Sequence, residues 1–315
     1  MTRGFLARRL AATLAVLLGV SVGVFAIVHV VPGDPVRLAL GTRFDPQTYA
    51  ALRARAGLDR PLLSQYFHWL IGLLHGDLGI SFRSEEPVAD VIGGRLPATV
   101  SLAVAAVLVA ALIAVPLGLA SALRPRSALD RVASVLSQVG ISVPDFWLGI
   151  LTILLLAGHL RWLPAGGYVP LTRDPTRWAR HLVLPAVCVG VVSGAVLTRF
   201  VRAAALDVLG EDHVRTARAK GLSEATVVRR HVLRNASVPV LTVAGVQLAY
   251  LLSGVVVVEI VFSWNGLGQL ALQSVQSRDY PVLQGAVLLF AVVFLAVNLV
   301  VDVLYAVLDP RISLR

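Results

Sequence analysis

EDHVRTARAKGLSEATVVRRHVLRNASVP, residues 211–239, is a polar stretch set between two long apolar runs. The wider segment 199–235 contains eight basic and four acidic residues. A basic segment between two membrane-spanning runs is typical of the cytoplasmic face. Gly221 followed by Ser223 predicts that one helix ends and a second helix is capped there. The stretch therefore predicts a helix–turn–helix beneath a membrane, although charge alone is equally consistent with a solvated basic loop.

The composition of the chain indicates a helical protein that crosses a membrane several times. Its 315 residues are 57% hydrophobic and its net charge is +10, with a mean hydropathy of +0.79. That hydrophobicity is too high for a soluble fold. The charge would also suit a nucleic-acid binder, but its placement beside apolar runs favours a membrane protein. Cys188 is the single cysteine, which excludes an intrachain disulfide and a cysteine metal cluster.

Six apolar runs are long enough to cross a bilayer as helices. The predicted helices cover residues 10–31, 98–123, 132–156, 181–197, 240–261 and 282–304. The first run resembles a signal peptide, but its length and the lack of a small-residue cleavage site favour an uncleaved helix. The third helix must break or kink at Pro144.

The distribution of charge predicts which connections face the cytoplasm. With both termini inside, 16 of the 28 Lys and Arg residues lie on the cytoplasmic side, and the short inner loops are the richer ones. The charge-balanced region 33–95 is then external and the segment 199–235 internal. Within the external region, residues 46–56 have a helical pattern. The aromatic residues 66–69 fit the level of the lipid headgroups.

Three acidic residues fall within or at the edge of the predicted spans. Asp145 follows Pro144 at the helix break, where a carboxylate that caps a helix N-terminus is the favoured interpretation. Glu259 lies near the outer end of the fifth helix, where a salt bridge and a pore-lining role are both consistent with the sequence. Asp302 is expected to pair with an arginine near the inner face.

The enzyme classes common among membrane proteins find little support. The chain has no H-E-x-x-H zinc motif and no phosphate-binding loop. Ser193 and His181 are candidates for an intramembrane serine protease, but Ser-Gly in a transmembrane helix is more often a packing position. The seven histidines show no metal-ligand spacing. We therefore predict no catalytic residue and no metal site.

Several strings, in order along the chain, closely resemble the peptide/nickel branch of ABC importer permeases, the dipeptide- and oligopeptide-permease B subunits. The central match is VRTARAKGL followed by LRN-x-x-x-P. The others are LDRPLLSQYFHWL, HGDLGISF, RLPATVSLA, VEIVFSWNGLGQL, RDYP-x-x-QG and NL-x-VD-x-x-Y-x-x-x-DPR. Where the wider family's signature begins Glu-Ala-Ala, this chain has Arg215, Thr216 and Ala217.

The resemblance implies an all-α polytopic membrane protein with the six-helix type I ABC importer permease fold. Residues 1–31 would form the N-terminus and first helix, 32–97 an extracytoplasmic cap, and 98–315 the core, with a cytoplasmic coupling segment at 207–237. The residues assigned to ATPase coupling are Asp212, Arg215, Thr216, Ala217, Lys220, Gly221 and Leu222. The candidate pore or gate residues are Pro144, Asp145 and Glu259.

The resemblance also implies the partners. They are a second, homologous permease subunit, two ABC ATPase subunits that bind ATP and Mg, an extracytoplasmic substrate-binding protein and membrane lipid, but no nucleic acid. The chain itself would carry no cofactor and would lie in a bacterial or archaeal cell membrane.

The cargo stays open at this point. Di- and oligopeptides are favoured, and nickel, glutathione or another small solute is the alternative. A rival of another class is a stand-alone channel or secondary transporter. The single helix break and the absence of a convincing internal repeat disfavour it.

Overall fold

The computed structural model describes residues 3–30 and 33–308. The termini, which are predicted to be cytoplasmic, fall at residues 1–2 and 309–315, outside the described residues. The predicted end of the first helix, at residues 31–32, also lies outside them. Within the described ranges the regular structure is helical, and extended pairing is limited to one antiparallel bridge between Ile80 and Pro87.

Long helices form the membrane part of the chain, and shorter helices connect them. The long helices are α1 (Arg3–Val30), α5 (Val88–Leu123), α8 (Pro175–Leu209), α11 (Leu233–Val261) and α13 (Tyr280–Leu308). The shorter ones are α2 (Pro35–Leu40), α3 (Pro46–Arg55), α4 (Leu62–Leu74), α6 (Ala128–Ser142), α7 (Asp145–Thr152), α9 (Asp212–Ala219), α10 (Glu224–Val227) and α12 (Leu267–Ser277). The predicted helix at residues 46–56 is α3.

The described helices agree with six membrane spans, one of them broken. The five long helices each contain an apolar window long enough to cross a bilayer. Ala128–Ser142 and Asp145–His159 are together apolar and long enough for a sixth span when counted as one, and their axes are bent by 101°. The break or kink predicted at Pro144 is therefore a break, which divides the predicted span 132–156 between α6 and α7. Pro144 is the physical reason, because proline disfavours helical backbone at the preceding residue, and Val143 is extended with φ −91° and ψ 122°.

Other helices extend beyond the limits predicted from hydropathy. α8 covers Pro175–Leu209 instead of residues 181–197, and α5 begins at Val88 instead of residue 98. The Asp174 carboxylate caps α8 by accepting a hydrogen bond from the backbone N–H of Arg177, and Pro175 occupies the first helical position. Hydropathy detects only the lipid-embedded part of a helix, so polar turns outside the bilayer were missed.

The described residues form two compact units, and the boundaries fall inside α5, between α11 and α12, and inside α13. The first unit comprises residues 100–264 and 297–308. In it, α5 and α8 approach closely at small residues, because a Cβ at Gly190 would lie 2.6 Å from Val109 and one at Gly194 would lie 3.2 Å from the Ala110 carbonyl oxygen. Such small-residue contacts are the usual basis of close helix packing in membranes.

The second unit, residues 3–99 and 265–296, contains the region after α1 that was predicted to form a cap. That region is folded: Val36, Leu40, Leu52 and Phe82 form one buried cluster. α4 contacts α1 through a hydrogen bond between the Tyr66 and Ser21 hydroxyls and one between Gln65 Oε1 and His29 Nε2. The buried Asp279 carboxylate accepts hydrogen bonds from the Ser81 hydroxyl and the Phe82 N–H. Burial raises the pKa of Asp279.

Candidate coupling site

The polar stretch of the sequence begins where α8 ends. At Gly210 the chain leaves α8, and the Gly210 N–H donates to the carbonyls of Leu206 and Asp207. Glu211 is the N-cap residue of α9, and Asp212 lies in its first turn, where a carboxylate is favoured by the helix dipole. α9 is thus a separate short helix immediately after a membrane-spanning one.

The predicted helix stop at Gly221 is confirmed, and its geometry is a Schellman motif. Gly221 has φ +78°, a conformation that favours glycine. Its N–H donates to the Arg218 carbonyl at 2.9 Å, and the Leu222 N–H donates to the Ala217 carbonyl at 3.3 Å. The two hydrogen bonds fix the direction in which the chain leaves α9.

The predicted cap at Ser223 is also confirmed. Its hydroxyl oxygen accepts a hydrogen bond from the Thr226 N–H at 3.4 Å and starts α10. Across the turn, the Arg218 guanidinium makes two hydrogen bonds to Glu224, at 2.7 and 3.1 Å. These hydrogen bonds lower the pKa of Glu224. A π-helical turn at Val228–Val232 then leads into α11.

The inner face of this helix–turn–helix is buried against the ends of the long helices. Val214, Ala217, Val227 and Val232 are each at most 4% exposed. They form one apolar cluster with residues of α5, α8 and α11, namely Ala122, Ala204, Ala205, Val208 and Ala236. The segment is therefore a packed element, and the interpretation as a solvated basic loop is wrong for this face.

The outer face carries six of the seven residues assigned to coupling by the resemblance. They are exposed, namely Asp212, Arg215, Thr216, Lys220, Gly221 and Leu222. Leu222 is 40% exposed, which leaves an apolar side chain in water at the tip of the turn. Ala217, by contrast, lies in the buried cluster and supports this face from beneath.

Two polar contacts of the coupling segment were missed in the sequence. The His213 ring lies between Glu211, 2.9 Å from Nδ1, and Asn235, whose side-chain amide donates to Nε2 at 3.1 Å. Asn235 belongs to the LRN string, so this contact joins the start of α11 to α9. Residues 22 positions apart carry no periodic signal that would pair them.

A buried ion pair fixes the helices above the coupling segment. Asp130 is 5% exposed. Its carboxylate accepts hydrogen bonds from Arg202 Nε at 2.6 Å and from a second Arg202 nitrogen at 2.9 Å. It also accepts from the Ser121 hydroxyl at 2.6 Å and from the Arg126 N–H at 2.8 Å. One carboxylate thus joins α5, α6 and α8. The sequence analysis did not single out Asp130.

The three candidate pore residues lie on the broken span and on α11. Pro144 is the N-cap residue of α7, and no side-chain hydrogen bond caps that end. Asp145 occupies the first turn of α7, and its Oδ2 is 2.6 Å from where a Cβ on Gly254 would stand. Glu259, five residues further along α11, is fully buried. A carboxylate at the break and a second on the facing helix are therefore both held within the first unit.

We expect Gly254→Ala to disturb this contact. Its methyl group would meet Asp145 Oδ2 at 2.6 Å, so the carboxylate or α7 must move, at a cost of about 1–3 kcal/mol. Thermal unfolding of the purified protein would measure the loss. The double variant Gly254→Ala/Asp145→Ala should recover most of it, and equal unfolding of the single and double variants would show that the carboxylate is not the obstacle.

The intramembrane protease hypothesis fails on distance. Ser193 and His181 lie on the same helix, twelve residues apart, which corresponds to about 18 Å. A nucleophile and its base must be within hydrogen-bond reach. Instead, His181 Nδ1 donates to the Arg177 carbonyl at 2.7 Å, and Ser193 is 7% exposed in the helix packing of α8.

Comparison with known families agrees with the fold. Residues 114–314 match the family described as "Binding-protein-dependent transport system inner membrane component". Residues 1–103 match the N-terminal family of the same membrane component. The chain belongs to this family: it is a multi-pass inner-membrane permease subunit of an ABC importer, of the dipeptide/oligopeptide type. The stand-alone channel and the secondary transporter are therefore excluded.

Individual relatives match over nearly the whole chain. This chain is 41% identical to the dipeptide transport system permease protein DppB of Escherichia coli (strain K12), and the match covers 98% of both chains. It is 43% identical to the glutathione transport system permease protein GsiC of the same strain, covering 99% of both. In three dimensions it is similar to an inward-facing form of the MetNI methionine ABC transporter, with a TM-score of 0.58 and 18% identity over 70% of this chain and 96% of the other.

Proposed function

We propose that this subunit imports short peptides together with a second, homologous permease, two ABC ATPases and an extracytoplasmic substrate-binding protein. The observation that carries the proposal is the coupling segment, whose inner face is buried and whose tip at Leu222 is exposed. A docking element needs both properties. The cargo class rests on the relatives, because a dipeptide and glutathione are both short peptides.

The proposed mechanism is alternating access driven by the partner ATPases. ATP and Mg would be bound by those partners, and the exposed residues of α9 and of the Gly221 turn would sit in a groove of an ATPase. Because Val214 and Ala217 pack α9 against the end of α8, movement of the tip would be transmitted to a membrane-spanning helix. A rigid helix end transmits such a rotation, whereas a disordered loop does not.

The experiment that tests the function is uptake by the reconstituted importer. Proteoliposomes would contain this chain with its permease and ATPase partners, with ATP inside and the loaded binding protein added outside. We expect ATP-dependent accumulation of a radiolabelled dipeptide. Accumulation of a nickel chelate with no uptake of dipeptide or glutathione would contradict the peptide assignment while leaving the coupling role intact.

The proposed orientation places the coupling segment in the cytoplasm and the region 33–95 outside. We expect His213→Cys in a Cys188→Ala background to react with an impermeant maleimide only after the cells are opened. His213 is half-buried, so a brief denaturation step verifies that the thiol can be labelled. Glu86→Cys is the matched external position, since Glu86 is exposed in the region 33–95, and it should react in intact cells. Labelling of position 213 from outside would refute the six-span orientation.

The folded region after α1 is proposed to bind the substrate-binding protein. Asp77 is a poor position for a test, because its carboxylate accepts a hydrogen bond from the Gly79 N–H at 2.8 Å and shapes the turn there. Glu86 is exposed, so its charge can be changed with less disturbance.

We expect Glu86→Arg to weaken capture of the loaded binding protein severalfold, because reversed charge at a docking surface opposes association. Glu86→Gln is the matched control and should have a smaller effect. Titration of the loaded binding protein over the importer complex immobilised on a surface would give the affinity for each variant. ATP hydrolysis without binding protein should not change, and unchanged affinity in both variants would argue that the region is only structural.

A further inference from the structure

Six of the seven arginines of the segment 199–235 fall into two groups by their partners. Arg202, Arg215 and Arg218 each make an ion pair with a carboxylate, at 2.6, 3.5 and 2.7 Å. Three others are exposed, and within the described ranges none of them is ion-paired with a carboxylate; they are Arg229, Arg230 and Arg234. The chain therefore neutralises much of the charge near the coupling turn but leaves the base of α11 positively charged.

The spacing of these three arginines creates mutual repulsion. Arg229 and Arg230 lie in the π-helical turn, and Arg234 follows one helical turn later, at the second residue of α11. Like charges one turn apart on a helix destabilise it. Glu224, the nearest acidic residue in sequence, is already hydrogen-bonded twice by Arg218. An anion supplied from outside the chain would remove the repulsion.

The position of the three arginines relative to the apolar part of α11 indicates what kind of anion this is. The apolar window of α11 begins at Pro239. Arg234 precedes it by five residues and Arg230 by nine, or about 7 and 14 Å along the helix axis. That interval spans the headgroup layer and the water next to it, within reach of the long arginine side chains. Leu233, between Arg230 and Arg234, and Leu241, beyond them, are 36% and 39% exposed and add apolar surface near this position.

We infer that Arg229, Arg230 and Arg234 form a binding site for the phosphate groups of anionic phospholipids in the cytoplasmic leaflet. Guanidinium groups bind phosphate oxygens in a bidentate manner. Juxtamembrane basic clusters are attracted to anionic lipid, and each arginine contributes about a fivefold preference over zwitterionic lipid. A lipid bound at this site would hold the start of α11 at a fixed depth in the membrane. The start of α11 is also where Asn235 contacts His213 of α9.

The test uses the complete importer with Arg229→Gln/Arg230→Gln/Arg234→Gln, in nanodiscs of phosphatidylcholine with or without phosphatidylglycerol. Native mass spectrometry would count the lipids retained by the complex. We expect the wild type to retain phosphatidylglycerol selectively, and the triple variant to lose about a hundredfold of that preference. Phosphatidylglycerol should raise the thermal unfolding temperature of the complex. Inorganic phosphate added to phosphatidylcholine discs should not have that effect.

A charge-matched control replaces three exposed arginines of the connection before and at the start of α8: Arg161, Arg173 and Arg177. It should keep the wild-type lipid preference. Equal phosphatidylglycerol retention by the wild type and the first triple variant would overturn the inference. Loss of the ATPase subunits from that variant in both lipid mixtures would overturn it too, because the arginines would then bind the ATPase.

Discussion

Gly221→Val should reduce the ATP hydrolysis that the loaded binding protein stimulates at least tenfold. Insertion of the variant into the membrane should stay normal. Gly221 has φ +78°, and a residue with a Cβ pays about 1–2 kcal/mol there, with more for a β-branched side chain. The space around the missing Cβ is open within the chain. The cost therefore comes from backbone strain, which would break the two Schellman hydrogen bonds and redirect the exposed tip.

Two control variants separate strain from other effects. Gly221→Asn tolerates a left-handed backbone and should retain part of the stimulation; complete loss with Asn would indicate that a partner approaches Gly221 closely. Gly210→Ala changes a glycine of the same segment whose φ is −78°, and it should have little effect. Normal stimulated hydrolysis in Gly221→Val, measured in proteoliposomes, would contradict a coupling role for the turn.

Asp130→Asn should destabilise the permease by about 2–3 kcal/mol. Breaking a buried ion pair costs more than breaking an exposed one, because the remaining charge loses its partner. Asp130 is almost fully buried, whereas the Arg202 side chain is one-third exposed, so the loss is smaller than for a fully buried pair. The unfolding midpoint of the complex would report the change, together with weaker stimulation of ATP hydrolysis if α5, α6 and α8 move as one body.

A double-mutant cycle tests whether the pair itself is responsible. Asp130→Asn/Arg202→Met should lose clearly less than the sum of the two single variants, because neither charge is then left alone. Asp174→Asn is the matched control, since it removes an exposed carboxylate but keeps a side chain that caps α8 well. If the single changes are additive, the ion pair does not couple these helices.

The features that were predicted from sequence depend on neighbouring residues. A membrane span is a run of about twenty apolar residues, so hydropathy located all six regions. The turn at Gly221 and Ser223 was predictable because left-handed backbone and helix capping each require particular residue types at one position. Pro144 located the break in the third span for the same reason.

The features that were missed depend on distant residues or on geometry outside the bilayer. Asp130 and Arg202 are 72 positions apart, so no periodic pattern pairs them. Proline marks where a helix breaks but not its direction, so the 101° bend was not foreseen. The end of α8 at Leu209 was missed because hydropathy falls where the lipid ends, and the helix continues into the coupling segment.

The central claim, that the tip of the coupling segment contacts an ATPase subunit, is tested most directly by cross-linking. A photoreactive amino acid at Leu222, which is 40% exposed, would be activated in the assembled importer. The same amino acid at Leu112, which is 73% exposed within the apolar part of α5, serves as the control. We predict a covalent adduct with the ATPase from position 222 and none from position 112. An adduct at neither position, with the complex intact, would contradict the claim.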